Sequence, residues 1–129
     1  MKKVLLFIML LVGGLNSAMA QAEIKFDKVT HDFGEFSQKS PVVSCVFSYQ
    51  NTGDQPLVIN QCIASCGCTV PDYTKEPVQP GKKGEIKVTY NGTGKRLGHF
   101  AKTITVHCNG KAEIVRLTIE GEMTDGEGK

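Results

Sequence analysis

Between Ile24 and Glu122, apolar and polar residues alternate with a period of two, interrupted every ten residues or so by glycine, proline or asparagine. That period sends successive side chains to opposite faces of a strand; an amphipathic helix would repeat every three or four residues, and no segment here does so. Ile24-Lys-Phe26-Asp27 opens the series as a half-buried strand. His31-Asp-Phe33-Gly34-Glu-Phe36 follows as a short apolar stretch with a glycine break. Residues 42–50 form the next strand, with Val43, Cys45, Phe47 and Tyr49 facing inward. Asn51-Thr-Gly53-Asp-Gln-Pro56 is a turn, because glycine supplies positive φ and proline ends the segment. Leu57-Val-Ile59 starts a strand that runs into a cysteine cluster. Pro71 to Pro80 reads as a polar connection closed by the Pro80-Gly81 turn. Ile86, Val88 and Tyr90 line the inner face of a strand over 84–90. Ile104, Val106 and Cys108 do the same over 100–108, with Thr103, Thr105 and His107 outward. Asn109-Gly110 signals a hairpin, and Val115, Leu117 and Ile119 face inward on a last strand. About seven short strands with turn residues between them predict an all-β fold, an immunoglobulin-like antiparallel β-sandwich. The chain has no tryptophan, so the buried tryptophan of antibody-type domains is missing.

Ahead of this pattern stands a different one. Lys2-Lys3, the uncharged apolar run from Val4 to Val12 and the small-x-small step Ala18-Met19-Ala20 have the order of a secretory signal peptide. The run is too short for a resident membrane helix, which needs about 20 residues. The expected layout is a signal peptide over 1–20, one domain over 21–123 and a disordered polar tail over 124–129. The expected location is exported, periplasmic or extracellular, with no stable membrane insertion after cleavage. The leader also accounts for the charge. The chain has 15 basic and 13 acidic residues; without Lys2 and Lys3 the balance is 13 to 13. Nothing in it argues for nucleic acid or an anionic surface.

The chemistry sits in Cys62-Ile-Ala-Ser-Cys66-Gly-Cys68-Thr69, which holds three of the five cysteines. Export makes disulfides the first reading. Cys45 and Cys108 lie on inward faces 63 residues apart (108 − 45), a spacing suited to a bridge between two sheets. Such a bridge would stabilise by roughly 4 kcal/mol in the chain-entropy model; two buried, unpaired thiols are the alternative. Cys66 and Cys68 flank a single glycine and are poorly placed to bond each other; Cys62 could pair with either across a tight loop, the candidate bridge being Cys62 to Cys66 with Cys68 as the spare thiol, and three free thiols are the alternative. The competing expectation is a metal or thiol-redox site in which Cys62, Cys66 and Cys68 ligate Cu(I) or Zn(II). Their spacing matches neither the C-x-x-C zinc pairs nor the thioredoxin motif. His31, His99 and His107 could complete such a site, though nothing in the sequence places them near it.

Other signals are weak. There is no nucleophile elbow, phosphate-binding loop or metalloprotease helix motif, so no catalytic residue and no cofactor are expected. Asp27, Asp32 and Glu35 read as a solvated strand edge. Asn91-Gly-Thr93 matches a glycosylation sequon, but the Asn-Gly turn explains it equally. Tyr73 is the one aromatic with a case for stacking on a sugar.

Asn51-Thr-Gly53, Pro56-Leu57-Val-Ile59, Ser65-Cys66-Gly67-Cys68-Thr69, Pro80-Gly81, Gly84-Glu-Ile86-Lys-Val88, Gly98-His-Phe100 and Leu117-Thr-Ile119-Glu-Gly121 together resemble the bacterial domain-of-unknown-function family 1573, across residues 24 to 123. The resemblance implies a secreted or periplasmic immunoglobulin-like sandwich, related in layout to major-sperm-protein and Hydin-type domains, with no established activity. The expected role is a non-enzymatic module that binds an unidentified protein partner or serves in the envelope.

Overall fold

A computed structural model describes residues 21–126. The expected leader over 1–20 and residues 127–129 of the tail lie outside the described residues. Eight strands follow one another: β1 (Ile24–Phe26), β2 (Thr30–Ser37), β3 (Val42–Asn51), β4 (Ile59–Ala64), β5 (Thr69–Tyr73), β6 (Lys83–Asn91), β7 (Gly98–Cys108) and β8 (Ile114–Thr124). They form two four-stranded sheets, ordered β1-β3-β6-β5 and β2-β8-β7-β4. Among the described residues there is no helix, and so none long and apolar enough to cross a membrane.

The inward faces are those that the alternation predicts. Phe47, Ile86, Val88, Ile104, Val106, Leu117 and Ile119 have no exposed surface. Burying a side chain of this size contributes about 1.5–3 kcal/mol. Tyr90 of the first sheet stacks on Phe100 of the second, with ring centroids 4.0 Å apart and planes 8° from parallel. That contact fixes how the two sheets align along the sandwich.

Three features depart from the expected layout. An eighth strand, β5, forms where a polar connection was expected to begin. Pro71 lies within it, opposite Val88, and proline is tolerated because β5 is an edge strand. The stretch around Gly34 is one strand rather than two touches: β2 runs through the glycine at φ 70° with a shift of register between Asp32 and Glu35. Its pairing with β8 is parallel, so the sandwich is mixed. The β7–β8 connection also spans 109–113 rather than a two-residue turn.

The segment read as a simple turn contains a structural knot. Asn51 is completely buried. Its Nδ2 donates to the carbonyls of Gln55 at 2.7 Å and Val78 at 2.9 Å. Its Oδ1 accepts from the N–H groups of Gly53 at 2.9 Å and Glu23 at 3.3 Å. Four main-chain groups from three parts of the chain thus share one amide. Gly84 is required for a different reason: a Cβ there would overlap the Tyr49 ring and hydroxyl.

Losing a buried partner costs about 1–3 kcal/mol for each group left unsatisfied. Asn51→Ala is therefore expected to lower unfolding free energy by about 3 kcal/mol in urea titration. A midpoint indistinguishable from wild type would show that water replaces the amide at no cost.

Candidate functional site: a disulfide turn at the end of an open edge

The sequence from Ser65 to Thr69 carries the chain from β4 in one sheet to β5 in the other, and each residue has an assignable part. The Ser65 N–H donates to the Thr103 carbonyl at 2.9 Å, and Ser65 Oγ accepts from the Thr103 N–H at 3.1 Å, pinning the turn to β7. The Cys68 carbonyl accepts from the Asn91 N–H at 2.8 Å, pinning the other end to β6. Within the turn, the Thr69 N–H donates to the Cys66 carbonyl at 3.1 Å. Thr69 is buried at 3 % exposure. Gly67 is at the exposed tip, with open space around its Cα.

Cys66 and Cys68 are bonded to each other, with their Cα atoms 5.3 Å apart. Cys45, Cys62 and Cys108 are thiols. This pairing differs from both expected bridges, and the tertiary arrangement explains why. Alternation places Cys45 and Cys108 on inward faces, but it does not give their height in the sandwich. Cys45 stands opposite Val88, two residues from Tyr90. Cys108 stands eight residues along β7 from Phe100, on which Tyr90 stacks. The mismatch is about six residues, or about 20 Å at roughly 3.3 Å per residue. No disulfide spans that distance. Cys62 faces the core opposite Val106, whereas Cys66 has already left the strand and turned toward Cys68. A single glycine between the cysteines is compatible with a bond because the turn folds back on itself.

The remaining thiols are buried or half-buried, and burial disfavours the charged thiolate. Loss of water pushes Cys45 up to about 11, with Lys28 pulling weakly the other way. It pushes Cys62 up to about 11 as well, opposed by Lys75 and reinforced by Cys108. Cys108 is raised for the same reason, and its S–H donates to the Ala112 carbonyl at 3.3 Å. These are small apolar core groups rather than poised nucleophiles.

The structure does not assemble the expected metal site. Two of its three sulfurs are joined to each other, and among the described residues no group of three or more His, Cys, Asp or Glu side chains converges. His31 lies on β2, and His99 and His107 lie on β7 away from the turn; His99 faces Glu120 at 3.3 Å. Tyr73 is engaged: Lys75 Nζ sits 3.8 Å over its ring, and its hydroxyl donates to the Asn60 carbonyl at 3.5 Å. Asn91 Oδ1 accepts from the Thr93 N–H at 3.0 Å, the local turn that its sequence favours.

The feature that sequence reasoning missed is the edge leading into the disulfide turn. Each sheet ends in two edge strands; three of the four carry charge or proline against further pairing, and β4 has only a register shift at its start, between Ile59 and Gln61. β1 is three residues long and contains Lys25. β2 has its register shift and two acidic residues, Asp32 and Glu35. β5 holds Pro71 and Asp72. β4, Ile59-Asn-Gln-Cys-Ile-Ala64, has neither charge nor proline. Among the described residues β7 is its only hydrogen-bonded strand partner, although β5 of the other sheet runs close by. Val78 covers its approach at Leu57, and Tyr73 reaches Asn60. From Gln61 to Ala64 no further main-chain partner is present on the free side among the described residues. Ile63 stands outward there at 46 % exposure. The pattern was visible in the residues, but only the strand order shows that this segment is an edge.

Ionisation of the buried thiols gives a pH test. A group raised in the fold contributes stability that is complete below its unfolded value and is lost as pH rises through the folded one. Stability is therefore expected to fall from pH 9.0 to about 11 as Cys45 and Cys62 are forced to ionise. Cys45→Ala with Cys62→Ala should flatten that decline in urea titrations; an unchanged decline would assign it to other groups.

Comparison with known proteins agrees with this fold. The solved structures it resembles include a protein of unknown function from Porphyromonas gingivalis, with a TM-score of 0.68 at 15% identity over 78% of this chain and 46% of that one. The chain thus spans under half the length of that protein. A PapD-like domain of human CEP192 matches with a TM-score of 0.67 at 9% identity, over 83% of this chain and 89% of that domain. The YadV chaperone matches with a TM-score of 0.58 at 13% identity, over 83% of this chain and 55% of the chaperone. At such identities the likeness is one of fold, PapD-like and immunoglobulin-like. None of the curated proteins matches the chain. The family model described as protein of unknown function DUF1573 matches residues 24–123, and the chain belongs to that family.

Proposed function

We propose that this domain is an exported, non-enzymatic protein-binding module that accepts an extended segment of a partner along the free edge of β4. The observation that carries the reading is the uncharged, proline-free edge from Gln61 to Ala64, beyond the register shift at Ile59–Gln61. An added strand would gain main-chain hydrogen bonds from that edge, and side chains of alternate residues would meet the outward Ile63 or the rim of the core. The disulfide turn stands at the end of this edge, where it fixes how far a partner strand can run. The fold neighbours add support: YadV and two further structural matches, CupB2 and SfaE, are chaperones, and SfaE is periplasmic by name.

A site-specific cross-linker placed at Ile63 or Gln61 in the native host is the test, with Lys25 on β1 as the control edge. A defined partner segment is expected to cross-link from β4 and not from β1. Ile63→Lys, which adds the charge that edges normally carry, is expected to abolish the product without changing the urea midpoint. Equal yields from both edges would overturn the reading.

A second reading rests on the disulfide itself, which joins residues only two apart. Closing so short a loop stabilises by about 1.5 kcal/mol in the chain-entropy model. The bond is thus of small structural worth and open to thiol–disulfide exchange at a half-exposed turn. On this reading Cys68→Ser leaves Cys66 as a free thiol that collects mixed disulfides in the exported protein. A Cys66 that stays unmodified removes it.

A further inference from the structure

The segment ahead of β1 is held more tightly than its sequence suggests. The Gln21 N–H donates to Asp54 Oδ1 at 2.8 Å, and the Asp54 N–H donates back to the Gln21 carbonyl at 3.1 Å. Ala22 is 2 % exposed, and its carbonyl accepts from the Lys111 N–H at 2.9 Å. The Glu23 carbonyl accepts from the Thr52 N–H at 2.9 Å, and the Glu23 N–H reaches Asn51 Oδ1. A Cβ at Gly53 would overlap Gln21 O and lie 2.8 Å from the carbonyl carbon of Ala22. Residues 21–23 therefore lie flush against the Thr52–Asp54 turn. Beside them is an open cavity of about 310 Å³ lined by Gln21, Glu23, Asp54 and Lys111 among others.

The residues before Gln21 are Ala18-Met19-Ala20, the small-x-small step of the expected leader. We propose that Asp54 is a built acceptor for the α-ammonium that appears on Gln21 when the chain is cut after Ala20. Hydrolysis breaks the Ala20–Gln21 peptide bond and leaves a carboxylate on Ala20 and an ammonium on Gln21. In the uncut chain the amide N–H occupies the position that the ammonium would take. Cleavage then turns a hydrogen bond from a neutral donor to the carboxylate into an ion pair at the same position. The cavity leaves room for water on the two new N–H groups.

The pairing has a chemical consequence. A free N-terminal glutamine loses ammonia when its unprotonated amine attacks its own side-chain amide carbon. A C–N bond forms, the amide nitrogen leaves as ammonia, and a neutral lactam replaces the charge. Asp54 opposes this by keeping the amine protonated and hydrogen-bonded to its carboxylate. The other charges facing the group are Glu23, which acts in the same sense, and Lys111, which opposes. Asp54 dominates at 2.8 Å. The site thus joins export processing to folding, independently of what β4 binds.

The test uses the full chain, expressed with its leader and purified from the exported fraction. Mass spectrometry of the N-terminal peptide is expected to give a terminus at Gln21 with ammonia retained. On incubation, Asp54→Asn is expected to lose ammonia about tenfold faster for each unit by which the amine's affinity for its proton falls. A terminus elsewhere, or equal rates in the two proteins, overturns the proposal. Should Asp54→Asn fail to fold, the wild type suffices. Acylation of its α-amine should require higher pH in the folded protein than in denaturant, and a coincident profile overturns the proposal equally.

Discussion

Much of one end of the sandwich depends on the carboxamide of Asn51. A buried amide has two donors and an acceptor oxygen, and a low-dielectric interior makes any of them costly to leave unpaired. Here all are used: two carbonyls, from Gln55 and Val78, and two N–H groups, from Gly53 and Glu23. Three of them belong to backbone outside the strand ladders, and the fourth, the Val78 carbonyl, also accepts from the Leu57 N–H at 2.9 Å. Without the amide, the lead-in to β1, the turn after β3 and the β5–β6 connection would each need a separate solution. With it, Val78 is held against Leu57, Ala22 is held in the core, and Gln21 is delivered to Asp54. The position admits no substitute of similar size: aspartate would lack the donors and bring a charge, and leucine would lack every polar atom.

The opposite end is organised by apolar contact. Tyr90 stacks on Phe100, and Phe36 packs edge-on to both rings. These rings set the relative height of the two sheets, and that height decides which cysteines can meet. The disulfide turn sits at this end because Cys68 hydrogen-bonds next to Tyr90, at Asn91, and Ser65 next to Ile104, at Thr103. The buried thiols line the interior between the two ends. Sulfur at those three positions acts as volume, and its chemistry is suppressed by lack of water.

The inward faces were legible because alternation is a local property. Phe47, Val88, Val106 and Leu117 could be assigned to the core from their neighbours alone. The family was legible too, and the match spans residues 24–123. What was not legible is relational. β5 was hidden by Pro71, whose meaning reverses once the strand is known to be an edge. The parallel pairing of β2 depends on where β8 runs. The disulfide pairing failed as an expectation because two inward-facing cysteines can differ by about 20 Å in height while reading identically in sequence. Asn51 was read as a turn residue, since an Asn-Thr-Gly step looks the same whether its amide faces water or the core.

Edge strands supply the last constraint on function. A soluble sandwich with four edges has four chances to pair with another chain, and selection for solubility places charge, proline, irregularity or brevity on each. Three of the edges here comply by three different means, so their common effect is better explained by that pressure than by chance composition. β4 is the weakest case: its one irregularity lies at its start, between Ile59 and Gln61, and beyond it the strand keeps Ile63 outward and carries no charge. Such an edge is tolerable where it is normally occupied or where a neighbouring element limits access. Val78 and Tyr73 close the Leu57 end, and β5 of the other sheet runs close beside β4 without pairing with it. At the other end the chain turns through Cys66 and Cys68 and is pinned to both sheets, which makes the open stretch short and rigid. A short, rigid edge adds less ordering cost on binding than a mobile one. On the proposed reading, this favours recognition of one extended segment over indefinite strand addition.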